Sequence, residues 1–351
     1  MIDFEHSFRR ALLQWFRQNA RDLPWRREPS LYKTVISEFM LQQTQVKTVL
    51  PYFERWINIF PNFETLASAS VEAVMHAWSG LGYYARARHL HQTAQRFVQN
   101  PPQSYRELLQ CPGIGSYTAA AIASIAWNEP IAAVDGNVVR VLARIFNYSE
   151  IFPSKSAAIA WATPHAQRLL DKEHSGIFNE AMMELGAVVC TPTTPDCEHC
   201  PIRTLCKAFR EHTVEICPRF QPTPHFKKIV NRLWVLRDEK LLLEPSLIGN
   251  KQLWELPELT EERKAQFRDL KEIFRAKRTV TNTIYTEVFY QPHSSMNENR
   301  SEAFFETLPF ENCRWFSLQQ LHTVALSGPH RRWIQQILRD EQQMAEAGTG
   351  P

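Results

Sequence analysis

The sequence is poor in glycine, with 11 in 351 residues, and it has no apolar run approaching the roughly 20 residues that cross a bilayer. That second absence excludes a protein built on membrane-spanning helices. No basic segment followed by an apolar core opens the chain. Its first residues, "MIDFEHSFRRALLQWF", carry charge throughout and read as an amphipathic helix. No signal peptide is expected, so a cytoplasmic address follows, where thiols are normally reduced. No repeat or low-complexity segment stands out. The formal charge is only +3, which excludes a polybasic protein but leaves room for a local basic face toward nucleic acid.

What is present suggests two domains, since 351 residues exceed a typical single one. Residues 1–206 read as almost pure helix. "SEFMLQQTQVKTVLPYFERWINIF" and "SAAIAWATPHAQRLLDKE" place apolar residues three and four apart. Short helices packed as an orthogonal bundle are the expected result. Residues 207–228 are rich in proline and charge and read as a linker. Residues 229–340 then alternate as strands, in "NRLWVLR", "KLLLEPS", "RTVTNTIYTEVFYQ" and "CRWFSL", with a helix at 260–274. This predicts a smaller α+β domain. Residues 341–351 read as a frayed tail.

Scarce glycine makes its clustering informative: Gly80, Gly82, Gly113, Gly115 and Gly136 fall within one short stretch. In "LLQCPGIGSYTAAAIASIAW" a helix over about 104–110 meets Pro112–Gly115, and a second helix opens at Ser116. Gly113 and Gly115 would let a phosphate approach the backbone, where free amides at the helix start attract an anion. That is the arrangement of a helix–hairpin–helix, which grips one DNA strand without reading its sequence. The plainer alternative is a tight turn. Further on, "AVDGNVVRVLARIF" puts Asp135 at an N-cap position. As a cap it would stabilise its helix by about 1 kcal/mol. The same helix terminus favours an ionised carboxylate, which could stabilise positive charge on a nearby sugar.

Four cysteines fall in "CTPTTPDCEHCPIRTLC" as C-x6-C-x2-C-x5-C: Cys190, Cys197, Cys200 and Cys206. Disulfides do not suit a reducing compartment, and four packed thiols in a proline-bearing loop point to metal. The spacing leaves zinc and an iron–sulfur cluster both open.

P-G-I-G, then D-G-N-V, then the four-cysteine spacing resembles the helix–hairpin–helix–GPD superfamily of base-excision DNA glycosylases, over residues 1–206. "LPWR", "ISEFMLQQTQV" and "GLGYYARARHL" look like its adenine glycosylase branch, the MutY family, whose small carboxy-terminal domain is Nudix-like. The resemblance implies a [4Fe–4S] cluster on the four cysteines. It also implies a monomer acting on double-stranded DNA to remove adenine mispaired with 8-oxoguanine or guanine. It makes Glu38 the catalytic acid, Asp135 the group that stabilises an oxocarbenium-like sugar, and Asn137 their hydrogen-bonding neighbour. Apolar neighbours around Glu38 would raise its pKa and keep a proton available. Tyr117 stands where strand-cutting relatives carry a Schiff-base lysine, and Val139 supplies no amine either. A monofunctional glycosylase follows. Gln42 and Tyr83 match side chains that wedge into the duplex, and Trp25, Arg26 and Glu180 match the adenine pocket. Each has a bland alternative: Gln42 as a polar helix face, Tyr83 and Trp25 as core aromatics. Arg203 and Lys207 in the cysteine loop are expected to meet phosphate.

The chain departs from the family in two places. No Nudix catalytic box is visible, so pyrophosphatase chemistry is not expected. Val280-Thr281-Asn282 replaces the family's lesion-reading Phe-Ser-His. The Thr281 hydroxyl and Asn282 amide could still hydrogen bond the oxidised base, with weaker preference over guanine. Two other readings use the same scaffold: a thymine–guanine mismatch glycosylase, and a non-catalytic iron–sulfur DNA-binding protein. Glu38 and the carboxy-terminal domain speak against the first, and the pairing of Glu38 with Asp135 against the second.

Overall fold

The computed structural model describes residues 4–222, 224–246, 248, 253–267, 269–292 and 310–347. The chain divides into two units, Met1–Gln221 and Pro222–Pro351. No helix among the described residues is long and apolar enough to cross a membrane.

The first unit is helical: α1 Phe4–Asn19, α2 Leu31–Leu41, α3 Val46–Ile59, α4 Phe63–Ser68, α5 Val71–Trp78, α6 Ala85–Gln99, α7 Tyr105–Leu108, α8 Ser116–Trp127, α9 Gly136–Phe146, α10 Lys155–Leu169 and α11 Ser175–Val188. The chain's caps set several of these boundaries. Ser30, Asn62, Ser70, Ser104 and Ser154 each accept a first-turn amide, which satisfies a donor that has no partner within the helix. Two large apolar cores form, beside a small cluster of Ala120, Ala121 and Ala133. Val35, Phe39, Trp56, Trp78 and Leu90 centre one, on α2, α3, α5 and α6. Phe8, Leu142, Ala162 and Phe178 centre the other, on α1, α9, α10 and α11. The alanine-rich α8 packs against both α2 and α11, which puts three helices around one cleft.

The stretch read as a linker is only partly one. Lys207–Arg210 is helical, Val214–Ile216 is a 3-10 turn, and β2 (Arg219–Phe220) pairs in parallel with β1 (Ile151–Phe152). The reason is a buried cation. Arg144 on α9 donates from Nε to the carbonyls of Val214 and Cys217, both at 3.0 Å, and from Nη1 to Thr191 O at 2.7 Å. One guanidinium thus ties the proline- and charge-rich segment and the cysteine loop to the helical unit.

In the second unit, β3 (Phe226–Leu233) lies parallel to β8 (Thr283–Pro292), which pairs antiparallel with β7 (Leu270–Val280). A further sheet carries β4 (Leu236–Arg237), β5 (Lys240–Pro245) and β6 (Trp254–Glu255), with β9 (Arg314–Ser317) along β5. The helix expected over 260–274 shrinks to Glu261–Lys264, capped by Thr260. From Leu270 the chain is strand, because pairing with β8 outweighs the helix preference of Lys271, Glu272 and Arg275. The expected tail is also corrected. The last helix runs Gly328–Ala347, and Glu341 accepts the indole N–H of Trp234 at 3.1 Å. Residues 348–351 lie outside the described residues.

Candidate active site

A cleft of about 900 Å³ opens in the first unit where α2, α8, α11 and the start of α9 meet. Glu38, Tyr117, Asp135, Asn137, Trp25, Arg26 and Glu180 all line it. The sequence separates these residues by up to 155 positions, and the fold brings them to one cleft.

Glu38 sits mid-way along α2, whose side chains from Tyr32 to Met40 are nearly all buried, Lys33 excepted. It is only 6% exposed, and no cation pairs with it among the described residues. Burial pushes its carboxyl up to about 8; a hydrogen bond with Tyr117 opposes that, while the charges of Asp135 and Glu180 add to it. Desolvation therefore decides the balance.

Asp135 caps α9. Its Oδ1 accepts from Val138 N and its Oδ2 from Asn137 Nδ2, both at 2.8 Å. Burial nevertheless pushes its carboxyl above the ordinary range, against those bonds and the charge of Arg140. The cap geometry expected from sequence is present, but the helix terminus does not dominate the electrostatics. Asn137 is fixed in turn by Arg140, whose Nη2 donates to its Oδ1 at 2.9 Å and to Gly186 O at 2.8 Å. Glycine at 186 permits this approach, since a Cβ there would stand 2.7 Å from that of Asn137.

A chain of charged side chains lines the same cleft. Arg26 Nε donates to Glu180 at 2.8 Å, and its Nη2 to Glu184 at 3.1 Å. Glu184 also accepts from Arg21 Nε at 2.7 Å and Nη2 at 2.9 Å. The indole of Trp25 stands edge-on to Phe53, so it is both pocket wall and core. Sequence reasoning missed Arg21 and Glu184. A signal existed: Glu180 and Glu184 sit at i and i+4 on one helix face, where like charges repel unless cations lie opposite.

Gln42, Tyr83, Gly113 and Gly115 are not among the residues lining the cleft. Gln42 Nε2 donates to Gly113 O at 3.2 Å and Thr118 Oγ1 at 3.3 Å, which joins the end of α2 to the hairpin. Gly113 has φ +75°, and a Cβ would fall 2.7 Å from that of His89. Gly115 is the N-cap of α8 and faces open space. Tyr83 is 59% exposed, with φ +50°. The "YARAR" stretch beside it has a local reason: buried Arg86 donates to the carbonyls of Phe39, Met40 and Gln42, which caps the end of α2.

Cys190, Cys197, Cys200 and Cys206 line a second, small cavity with Val141, Ile145 and Ile202. Arg144 Nη1 donates to Cys190 Sγ at 3.3 Å. Among the described residues no three His, Cys, Asp or Glu side chains are set to hold a single metal ion. Arg203 is paired with Glu198 at 2.9 Å, which takes up part of its capacity for phosphate. Thr281 and Asn282 lie in the other unit, as the two-residue turn closing β7 and β8. Thr281 has φ +56° there.

A hairpin between helices thus lies in the same unit as a cleft that holds buried Glu38 and half-buried Asp135. Residues 36–162 match the family model of the HhH-GPD superfamily of base excision DNA repair proteins. Among curated relatives it is similar to the adenine DNA glycosylase of Rattus norvegicus, 47% identical over 215 residues, which are 58% of this chain and 42% of that one. The adenine DNA glycosylase of Homo sapiens is 45% identical over 215 residues (58% and 39%), and that of Schizosaccharomyces pombe 39% over 232 (59% and 50%). The matched stretch thus spans about half or less of these relatives. A thermostable thymine-DNA glycosylase shares the fold with TM-score 0.52 and 24% identity, covering 59% of this chain and 97% of that one. So does endonuclease III in a non-covalent DNA complex, with TM-score 0.50 and 19% identity over 60% and 99%.

Proposed function

We propose that the protein is a monofunctional adenine DNA glycosylase acting on adenine opposite 8-oxoguanine or guanine in double-stranded DNA. The observation that carries this is Glu38: a buried carboxyl in an open cleft, still protonated at neutral pH, with a second carboxylate facing the same space. Adenine is a poor leaving group as an anion, and a proton at N7 makes it a good one. An acid with a pKa near the working pH suits that transfer. Asp135 then faces the positive charge that develops on the sugar, and water completes hydrolysis. Two carboxylates dividing acid and charge-stabilising roles is the logic of glycoside cleavage. Adenine reaches the cleft only when flipped from the duplex. Gln42 and Tyr83 fill the stack, Gly113 and Gly115 hold the strand, and Trp25, Arg26 and Glu180 receive the base. Tyr117 offers no amine for a Schiff base, so the strand stays intact.

The four-cysteine cavity fits an iron–sulfur group by its donor set: four sulfurs around one apolar space, with an arginine at its edge. Cys190, Cys197, Cys200 and Cys206 would hold a [4Fe–4S] cluster. It would supply cross-links within the 190–206 loop rather than a chemical step. The second unit would serve as a Nudix-like reader of the base opposite adenine, through Thr281 and Asn282.

The test is single-turnover excision on duplexes with adenine opposite 8-oxoguanine, adenine opposite guanine, and thymine opposite guanine, with and without hot alkali. Adenine should leave from the first two, and strands should break only after alkali. Thymine release would move the assignment to the mismatch branch. Breaks without alkali would end the monofunctional reading.

A further inference from the structure

Glu180 and Glu184, one turn apart on α11, share one arginine unequally. Arg26, in the loop ahead of α2, donates from Nε to Glu180 Oε1 at 2.8 Å, from Nη2 to Glu184 Oε2 at 3.1 Å and from Nη1 to Arg21 O at 3.1 Å. Its guanidinium also lies 5.1 Å from the centroid of the Phe16 ring, which further restrains it. Glu184, only 1% exposed, is saturated. Its Oε1 accepts from Arg21 N at 3.1 Å and Nε at 2.7 Å, and its Oε2 from Arg21 Nη2 at 2.9 Å as well as from Arg26. Glu180 is not saturated. Its Oε2 has no hydrogen-bond partner among the described residues, and its side chain, 19% exposed, lines the cleft. An arginine facing a lone carboxylate ordinarily closes on both oxygens. Glu184 prevents this by holding the Nη2 arm.

We propose that Glu184 is a positioning residue for base recognition: by holding one arm of Arg26 it leaves Glu180 an oxygen toward the cleft, which accepts from the exocyclic amine of a flipped adenine. This inference rests on the glycosylase reading above. An amine is the group that such an oxygen selects. Thymine carries a carbonyl oxygen where adenine carries its amine, and unsubstituted purine carries no polar group there. Arg21 completes the arrangement, since two side-chain bonds and one backbone bond from it keep Glu184 in place. Without the Glu184 charge, Arg26 is free to bring both arms onto Glu180, and the oxygen that faced the cleft is taken.

Glu184→Gln keeps the volume and gives up the charge and one acceptor. The probes are duplexes with adenine or unsubstituted purine opposite 8-oxoguanine, each on a 2′-fluoro sugar, whose electron-withdrawing fluorine blocks cleavage so that binding is read by itself. The wild-type protein should bind the adenine duplex roughly tenfold more tightly than the purine one, the size of one hydrogen bond to a charged group. In Glu184→Gln that preference should vanish while affinity for the purine duplex holds. In the Glu180→Gln background, Glu184→Gln should change the preference no further, since the effect passes through Glu180. Glu184→Asp guards against loss of fold: its shorter carboxylate keeps a charge for Arg21 but draws back from Arg26, and it should lose the preference too. Equal wild-type affinity for the two duplexes overturns the proposal. So does a preference that survives in the Glu184 variants, or a further loss in the Glu180→Gln background. Failure of the glycosylase reading looks different: the preferences follow this pattern while adenine on an ordinary deoxyribose stays attached.

Discussion

Glu38 in the helical unit and Glu255 in the sheet unit are both buried carboxylates, and they are set in opposite ways. Glu38 has no cation and is pushed to about 8. Glu255 is as deeply buried, but Arg278 donates to it at 2.7 and 3.1 Å and Arg232 at 2.9 Å. Against the burial that would raise it, those bonds and the charges of His330 and Arg232 hold it at about 2. Its neighbour Glu287 is likewise met by Arg232 at 2.8 Å, Arg278 at 2.5 Å and His330 at 3.1 Å. A carboxylate whose partners are all supplied is finished as structure. One left without a cation beside an open cleft retains a proton to give. Burial is common to both, and the surrounding cations separate chemistry from scaffolding.

The two also oppose each other in pH dependence. Glu38 keeps its proton in the folded state between the ordinary 4.5 and about 8, whereas the unfolded chain has lost it, so its contribution to stability falls as pH rises through that window. Glu255 is ionised in the folded state between about 2 and 4.5, so its contribution grows with pH there and is lost as pH drops toward 2. Glu38→Gln should therefore have the largest effect on activity and a contrary one on stability. Excision should fall by about two to four orders of magnitude. The variant should also resist urea better than the wild-type protein at pH 9, by roughly a few kcal/mol, with the advantage vanishing at pH 4. A Glu38→Gln protein that is inactive but no more stable at pH 9 would show that Glu38 is not held in its acid form.

Arg232→Met tests the other side. It leaves Glu255 and Glu287 buried with a partner missing, and such uncompensated charge costs about 3–5 kcal/mol. Urea denaturation of the full chain should show that loss, while the pH profile of adenine excision stays in place. A shifted profile would mean that the buried cluster of the sheet unit does more than hold its fold.

The sequence carried much of the helical unit and less of the rest, for local reasons. The start of α8 at Ser116 and the cap at Asp135 were legible because glycine, proline and a capping carboxylate act within a few residues. Glu38 was singled out by the resemblance of "ISEFMLQQTQV" to a known family, and its apolar neighbours then pointed to a raised pKa. Arg21 and Glu184 were not legible as a pair, because their contact spans 163 positions and either residue alone reads as a solvated charge. Met183, which lines the cleft, was hidden for the opposite reason: an apolar residue on an apolar helix shows nothing until its sulfur meets the Tyr117 hydroxyl, at 3.0 Å. Residues 207–221 misled because their composition is that of a linker, and only buried Arg144 reveals that they are anchored.

The smallest predicted effect lies where the contrast between the units is weakest. Thr281 is β-branched, yet its φ is +56°, in the left-handed region that favours glycine. It occupies one of two residues in a hairpin turn, and an unconstrained turn would not place threonine there. Strain of this kind persists where the side chain is needed. Thr281→Gly should therefore stabilise the protein by about 1 kcal/mol in urea. The same variant should lower affinity for duplexes with adenine opposite 8-oxoguanine while leaving adenine opposite guanine unaffected. That pairing of gains and losses would give the sheet unit its own functional residue, held by strain in the backbone where Glu38 is held by burial. If stability rises and neither affinity changes, the Thr281 hydroxyl reads nothing, and discrimination of the oxidised base lies elsewhere in the chain.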